Sequence, residues 1–241
     1  MHTTLRFLAG ALLASTALMG CSEETVSSTN IKTKGIAGLF EVTASSETSS
    51  TVNAKLVVGG DESNTYVTLD NGDKLTATAG TETKTMTTGD GAGRYEASFG
   101  TGAGGTEFKI ALERPDDDDA PNNVGTLPAP FSVTEVPSTT PSRANDAITI
   151  KWDDGSGDMK IEVEGDCIFS NSFTAASGST EYTIDAGEID STGVNAEDQE
   201  TCDLTVTLTR TNKGTADTLN LDDESYFKLY QVRKTSFASA P

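Results

Sequence analysis

The chain has 241 residues and a mass of 25.1 kDa, enough for one large domain or for two domains of about a hundred residues each. It carries 37 acidic and 17 basic side chains, which give a net charge of -20 and a pI near 4.2. Such a surface repels phosphate backbones, which excludes a nucleic-acid partner, and it repels anionic bilayers, so that any membrane attachment has to be covalent or hydrophobic.

Residues 1–20 have the layout of a secretory signal peptide. A polar start with the single cation Arg6 precedes an apolar run from Phe7 to Met19. That run is too short for a permanent membrane-spanning helix, which needs roughly 20 apolar residues. We therefore interpret the segment as a targeting signal rather than as part of the fold.

The signal ends in the residues LMGC at 18–21. This ending resembles a bacterial lipoprotein signal, in which a small residue precedes an invariant cysteine that is acylated and becomes the mature N-terminus. The resemblance implies lipidation of Cys21, through which the protein is attached to the membrane. Ser22 after it implies the outer membrane as the location, on either its periplasmic or its cell-surface face. The alternative is an ordinary cleaved signal followed by a coincidental cysteine.

Residues 21–35 are predicted to be a tether. The stretch SEETVSSTNIKTKG at 22–35 is polar, rich in Ser and Thr, and without apolar periodicity. Such composition is typical of a flexible segment that holds a folded part off the membrane.

The remaining cysteines are Cys167 and Cys202 once Cys21 is assigned to lipid by that resemblance. They form one possible disulfide in an oxidising envelope, and two free thiols are the alternative. A zinc site would need more ligands, and the single histidine, His2, lies in the signal.

Residues 36–127 are predicted to form an antiparallel β-sandwich. Alternating apolar residues indicate strands at 52–58, 66–69 and 75–79, and the turn DNGD at 70–73 predicts a hairpin between the last two. Short strands with glycine-rich turns and no helical period are typical of a sandwich.

The stretch GTGAGG at 100–105 matches the G-x-G-x-x-G motif of nucleotide-binding loops. The following residues, 106–113, alternate with period two instead of opening a helix, and phosphate binding needs a helix N-terminus there. We therefore predict a hairpin loop and no cofactor.

A proline-containing stretch, residues 128–141, follows the first domain. Three prolines within 128–137 disfavour a central strand, so the stretch is either the domain boundary or an edge strand entering a second domain. We place the boundary near residue 127.

Residues 128–241 are predicted to form a second β-sandwich, which gives an all-β fold class of two tandem sandwiches. The strand-like segments ITIKW at 148–152, 159–163, 182–184 and 202–210 resemble a fibronectin type III domain, whose second strand ends in Trp. In that fold the third and sixth strands are antiparallel neighbours, and the resemblance therefore implies that Cys167 lies beside Cys202.

The whole layout also resembles a group of uncharacterised two-domain lipoproteins of Gram-negative bacteria. The residues that carry this resemblance are LPAPF at 127–131, the Cys167/Cys202 pair and QVRKTSF at 231–237. The resemblance implies architecture and location only.

No catalytic residues are predicted. Without a histidine in the mature chain, Ser-His-Asp and Cys-His nucleophiles are excluded, and the carboxylates are so abundant that no pair stands out. The protein is therefore interpreted as not an enzyme.

A calcium site is suggested by DDGSGD at 153–158, where Asp154, Ser156 and Asp158 alternate as in EF-hand loops. Met159 and Gly165 stand where an EF-hand needs Gly and Glu, so that motif is rejected and no metal site is predicted. Calcium between domains stays open, with the further acidic loops 116–119 and 222–224, beside the simpler interpretation of solvated loops.

Four phenylalanines lie outside the alternating pattern and predict either an exposed patch or the seam between domains. They are Phe131, Phe169, Phe173 and Phe237.

These observations predict a non-enzymatic binding or spacer module in the cell envelope, with an unknown protein or glycan partner bound through loops or a strand edge. The alternatives are an accessory subunit of an envelope complex and, less favoured, a metal-assisted hydrolase.

Overall fold

The computed structural model describes residues 23–193 and 199–241, so Cys21 and the signal peptide lie outside the described residues. These residues form an almost entirely β structure with two single-turn 3-10 helices, Ser28–Asn30 and Thr33–Gly35. The strands are β1 (Glu24–Ser27), β2 (Ile36–Ser46), β3 (Ser49–Val58), β4 (Thr65–Thr68), β5 (Lys74–Ala79), β6 (Glu82–Thr85), β7 (Thr87–Thr88), β8 (Arg94–Phe99), β9 (Glu107–Glu113), β10 (Ala120–Thr126), β11 (Val133–Glu135), β12 (Ile148–Trp152), β13 (Met159–Glu164), β14 (Asn171–Ala175), β15 (Glu181–Ile184), β16 (Cys202–Lys213) and β17 (Tyr226–Ser239).

The first unit is a two-layer sandwich. One layer has the strand order β1-β4-β3-β2-β17, with β8 also paired to β3, and the other has the order β10-β9-β5-β6. Alternating residues such as Val52, Ala54 and Leu56 of β3 point into the space between the layers and are fully or almost fully buried. The predicted all-β sandwich is confirmed.

The second unit has a three-stranded layer, β11-β12-β15, and a layer of β14, β13, β16 and β17. Its third and sixth strands, β13 and β16, are antiparallel neighbours with Val163 opposite Val206. This is the neighbour relation that the fibronectin type III resemblance implied. Trp152, at the end of the second strand, is buried in the core between the layers.

Strand β17 belongs to both units. Its first half pairs in parallel with β2, from Tyr226 opposite Leu39, and buries Phe227 and Leu229 in the first core. It pairs with β16 along almost its whole length, from Lys228 opposite Lys213 to Ser239 opposite Cys202, and its second half buries Phe237 in the second core. A boundary near residue 127 therefore describes only the first crossing of the chain. Strand β16 returns the chain to the first unit, where Leu221 is buried, and β17 makes a third crossing as an uninterrupted strand.

Side chains at this crossing are packed on one aromatic ring. The Arg210 and Arg233 guanidinium groups lie 5.1 Å and 5.4 Å from the centroid of Phe131. Arg233 donates to the carbonyl of Ala44 in the first unit at 3.2 Å, while Arg210 donates to Asp154 in the second at 2.9 Å. Phe131 is thus a seam residue, one of the two positions predicted for it.

The predicted hairpin at 70–73 is wrong, although its turn forms. The Asp73 N–H donates to the Asp70 carbonyl at 3.0 Å, and Asn71 and Gly72 have φ values of 53° and 87°. However, β4 and β5 lie in different layers, so the turn connects the two sheets. The loop at 100–105 likewise connects β8 and β9 across the layers rather than closing a hairpin.

The predicted tether is also wrong over residues 24–35, which are part of the first unit. Strand β1 pairs in parallel with β4, and the Arg114 side chain donates to the carbonyls of Ser28 at 2.6 Å and Ile31 at 3.0 Å. Because these contacts use backbone carbonyls, they require no apolar periodicity, and the composition of the segment does not reveal them.

Candidate functional site

The predicted disulfide is confirmed. Cys167 and Cys202 are bonded, with their Cα atoms 6.0 Å apart. Cys202 stands opposite Ser239 at the end of β17 that is far from the first unit. The disulfide therefore cross-links the end of the second unit that lies farthest from the first unit.

The acidic loops are largely engaged by the protein itself. Asp154 accepts from the backbone N–H of Ser156 at 2.8 Å, which lowers the pKa of the Asp154 carboxyl, and Arg210 adds to the effect. Asp158 accepts from the N–H of Ser177, and Asp223 pairs with Lys34 at 2.6 Å. Among the described residues no group of three or more His, Cys, Asp and Glu could hold a metal ion.

The other three off-pattern phenylalanines have different environments. Phe237 is buried in the second core, and Phe173 packs against Tyr182 with the rings tilted by 36° and 5.5 Å between their centroids. Phe169 is 61% exposed. These aromatic side chains therefore do not form one common patch.

The outer face of the first unit carries a cavity of about 270 Å³ that sequence reasoning did not identify. Residues of β2, β3, β8 and β17 line it, and polar side chains meet there because the register places Glu41 opposite Asn53, Asn53 opposite Glu96, and Lys55 opposite Arg94. Tyr226 is also part of the lining. The sequence does contain a relevant signal, namely the polar residues that alternate with the buried ones along each strand. The strand prediction used this alternation only to decide which residues face the core.

Two tyrosines that contact or neighbour Glu41 of this cavity, Tyr226 and Tyr230, have raised pKa values. Burial raises the pKa of Tyr230 well above its ordinary value, and so does the carboxylate of Glu41, which accepts from the Tyr230 hydroxyl at 3.2 Å. Burial and Glu41 also raise the pKa of Tyr226, whose ring faces the Lys228 ammonium at 4.0 Å. The cavity can hold a small polar ligand by hydrogen bonds, but these phenols are poor nucleophiles.

The two ends of the molecule each present one exposed apolar side chain. Leu219 is 88% exposed and Phe169 is 61% exposed, and they are the two large exposed hydrophobic residues among the described ones. Leu219 lies in the loop before β17, and Phe169 lies two positions after Cys167, beyond the other end of β17. Neither belongs to a periodic pattern, and Leu219 was not singled out from the sequence.

Phe169 is presented by a fixed backbone. Its N–H donates to the Asp190 carbonyl at 3.0 Å, and its carbonyl accepts from the Asn171 side chain at 2.6 Å. Two positions earlier, the Cys167 carbonyl accepts from the N–H of Thr192 at 3.0 Å. An exposed aromatic side chain with little backbone freedom is the kind of group that anchors protein interfaces.

Within the described residues, no helix combines the length and the apolar character that crossing a membrane requires.

No family model and no curated protein matches the chain. Among solved structures, a two fibronectin type III domain segment of chicken tenascin is similar, with 11% sequence identity and a TM-score of 0.24. The match covers 85% of this chain and 99% of that one. At this TM-score the likeness carries no argument, and the strand order alone defines the class: an all-β protein of two sandwiches, the second with fibronectin type III-like neighbour relations.

Proposed function

We propose that the protein is a membrane-anchored, non-enzymatic lipoprotein of the cell envelope that acts as a rigid binding or spacer module. The single observation that carries this proposal is the continuity of β17 through both cores. A spacer has to transmit a fixed distance, and a strand packed at both ends does so without a hinge.

The length of the spacer follows from this strand. The 14 residues of β17 extend about 43 Å at roughly 3.3 Å per residue. The crossing is also tied by Gln231, whose side chain donates to the Gly102 carbonyl at 2.6 Å, and by the arginines around Phe131. These contacts support a fixed angle between the units.

The anchor in this proposal is a lipid on Cys21, in the outer membrane. Several acyl chains on one cysteine give a firm attachment, whereas one chain gives a weak one. Because β1 begins at Glu24, the folded part starts three positions after the lipidated residue. The first unit is therefore the membrane-proximal one, and the second unit extends away from the bilayer.

The non-enzymatic part of the proposal is supported by the chemistry of the described side chains. The two thiols are joined in a disulfide, and the Tyr226 and Tyr230 hydroxyls have raised pKa values. The carboxylates of Asp154 and Asp158 accept backbone hydrogen bonds that hold their loops. These groups serve the fold.

A distance measurement tests the rigid spacer. In the Cys21→Ser protein, Leu219→Cys and Phe169→Cys place spin labels at the two exposed ends, while the native disulfide contributes no free thiol. We expect one narrow distance distribution in a dipolar electron spin resonance experiment. As a control, two labels within the first unit give the width for one rigid body, and a much broader end-to-end distribution contradicts the proposal.

Fractionation tests the anchor. We expect the wild-type protein in the outer-membrane fraction and Cys21→Ser in the soluble fraction. The matched control is the double variant Cys167→Ser/Cys202→Ser, which removes the other two cysteines and keeps the membrane location. Retention of Cys21→Ser in membranes contradicts the lipid anchor.

A second candidate function is an accessory subunit of an envelope complex, and the rigidly held Phe169 favours it. A photo-crosslinking residue at position 169 in living cells is expected to yield one stoichiometric adduct, which the same residue at position 219 does not yield. Equal labelling at both positions removes the support for this candidate.

A further inference from the structure

Leu219 stands at the apex of a turn that the protein holds in place. The Leu221 N–H donates to the Asp217 carbonyl at 2.8 Å, and the Lys34 ammonium donates to the carbonyls of Thr218 at 2.7 Å and Leu221 at 2.9 Å. Leu221 is buried in the first core, whereas Leu219 is 88% exposed. The turn therefore buries one leucine and projects the other into solvent.

This turn lies at the same end of the molecule as the start of β1. The Asp222 N–H donates to the Ile36 carbonyl, at the first residue of β2, at 2.9 Å. Ile36 pairs with Val58, the last residue of β3. The loop that follows Val58 contacts the start of β1, because the Glu24 N–H donates to the Asn64 carbonyl at 3.2 Å.

The chain between Cys21 and the fold is short. Cys21 lies three positions before Glu24, and three extended residues span at most about 11 Å. A lipid on Cys21 therefore keeps this end of the first unit against the bilayer surface. The bilayer then provides an apolar environment that the exposed Leu219 side chain can enter.

We propose that the end face around Leu219 is a membrane-contact surface and that the Leu219 side chain enters the lipid interface. The inference rests on the proposed lipidation of Cys21. A single leucine is too small to bind a membrane alone, but the lipid anchor makes its insertion an intramolecular event at high effective concentration. The contact then fixes the tilt of the molecule on the membrane.

The charge of this end face selects the kind of lipid. Asp223 and Glu224 follow the turn, and Asp61 and Glu62 lie in the neighbouring loop, where the Asp61 N–H donates to the Glu224 carboxylate at 3.0 Å. Lys34 offsets part of this charge by pairing with Asp223. The surplus of carboxylates disfavours anionic headgroups, so the contact is made with a zwitterionic phospholipid surface.

The test uses the full lipidated protein reconstituted into phosphatidylethanolamine/phosphatidylcholine vesicles. An environment-sensitive fluorophore is attached at Leu219→Cys, and the matched control carries the same fluorophore at Phe169→Cys, the other exposed apolar position. We expect the label at 219 to shift to the blue and to be quenched several-fold more strongly by brominated acyl chains than the label at 169. Replacing a third of the lipid with phosphatidylglycerol is expected to reduce this difference.

Flotation of the same samples separates the two proposals. Protein that floats with the vesicles while the labels at 219 and 169 are quenched equally overturns the membrane contact and leaves the anchor intact. Protein that fails to float overturns the anchor and the contact together. Quenching at 219 that is stronger in phosphatidylglycerol vesicles overturns the assignment of a zwitterionic surface.

Discussion

Arg114 shows how a single side chain can hold a segment that has no apolar pattern. It is almost fully buried, and its Nε donates to the Asp73 carboxylate at 2.9 Å while its other nitrogens donate to the carbonyls of Ser28 and Ile31. The Arg114 and Asp73 side chains are only 3% and 5% exposed. Removing the cation leaves an unpaired buried carboxylate.

We expect Arg114→Met to lower the free energy of unfolding by about 3–5 kcal/mol, the cost of breaking a buried ion pair on one side. The control is Lys151→Met, since the Lys151–Glu135 pair is 38% and 58% exposed and such pairs contribute about 1 kcal/mol at most. Urea unfolding measures both variants. A loss below about 1 kcal/mol for Arg114→Met contradicts the structural role of this arginine.

Two aspartates predict how stability depends on pH. The N–H of Asp118 donates to the Asp117 carboxylate and lowers its pKa, with a further contribution from the N–H of Thr33, and the N–H of Ser156 lowers the pKa of Asp154 in the same way. A carboxyl whose pKa is lower in the folded state stabilises the fold fully above its unfolded pKa of about 4. That contribution is lost as the pH falls through the folded pKa.

We therefore expect the melting temperature to change little from pH 7 to pH 5 on account of these groups and to fall below about pH 4. In the variant Asp117→Asn/Asp154→Asn the fall is expected to be shallower, because neither side chain titrates. Calorimetry across this range measures the difference. Parallel curves for the variant and the wild type contradict the assignment.

At the scale of the strand, the sequence predicts which face of an element is buried but not which element it pairs with. The strand predicted at 75–79 exists as β5, with Leu75 and Ala77 buried as the alternation requires, yet β5 pairs with β9 and not with β4. The same limit explains β17, whose inward residues Phe227 and Leu229 were assigned to the second domain but pack in the first core. Alternation has the same period whichever sheet a strand joins.

The sequence likewise predicted only part of the candidate site. The Cys167–Cys202 bond followed from cysteine count and from a fold resemblance that made their strands neighbours. The outer-face cavity needs the register of four strands, and Leu219 is a lone apolar residue in a polar loop. The cavity and the exposure of Leu219 both depend on how distant segments pack together, and no local sequence pattern specifies that packing.

The disulfide yields a prediction for the connection that it closes. The two cysteines are 35 positions apart, and the chain-entropy relation gives about 4 kcal/mol for a loop of that length. We expect Cys167→Ser/Cys202→Ser to lose about this much stability in urea unfolding and to exchange the amide hydrogens of Phe169 and Thr192 faster. Unchanged exchange at these two amides would show that the disulfide does not fix this end of the second unit.

For the molecule as a whole, the sharing of β17 has a thermodynamic consequence. Unfolding the first core exposes Phe227 and Leu229 and removes β2, the parallel partner of the first half of β17. The strand that carries Phe237 into the second core then loses support at its other end. Two units that share a packed strand lose stability together, whereas units joined by a flexible segment unfold separately.

This coupling can be measured because Trp152 is the single tryptophan and is buried in the second core, so that its fluorescence reports the second unit. Leu56 is fully buried in the first core, and Leu56→Ala is expected to cost about 2–5 kcal/mol. If the units are coupled through β17, the urea midpoint of Trp152 fluorescence falls by as much as the midpoint seen by far-ultraviolet circular dichroism, and the two curves stay coincident. Leu219→Ala, at an exposed position, is expected to leave both midpoints unchanged. A Trp152 transition that stays in place while the dichroism curve splits into two steps would show that the units unfold independently, and the rigid spacer would then lose its structural basis.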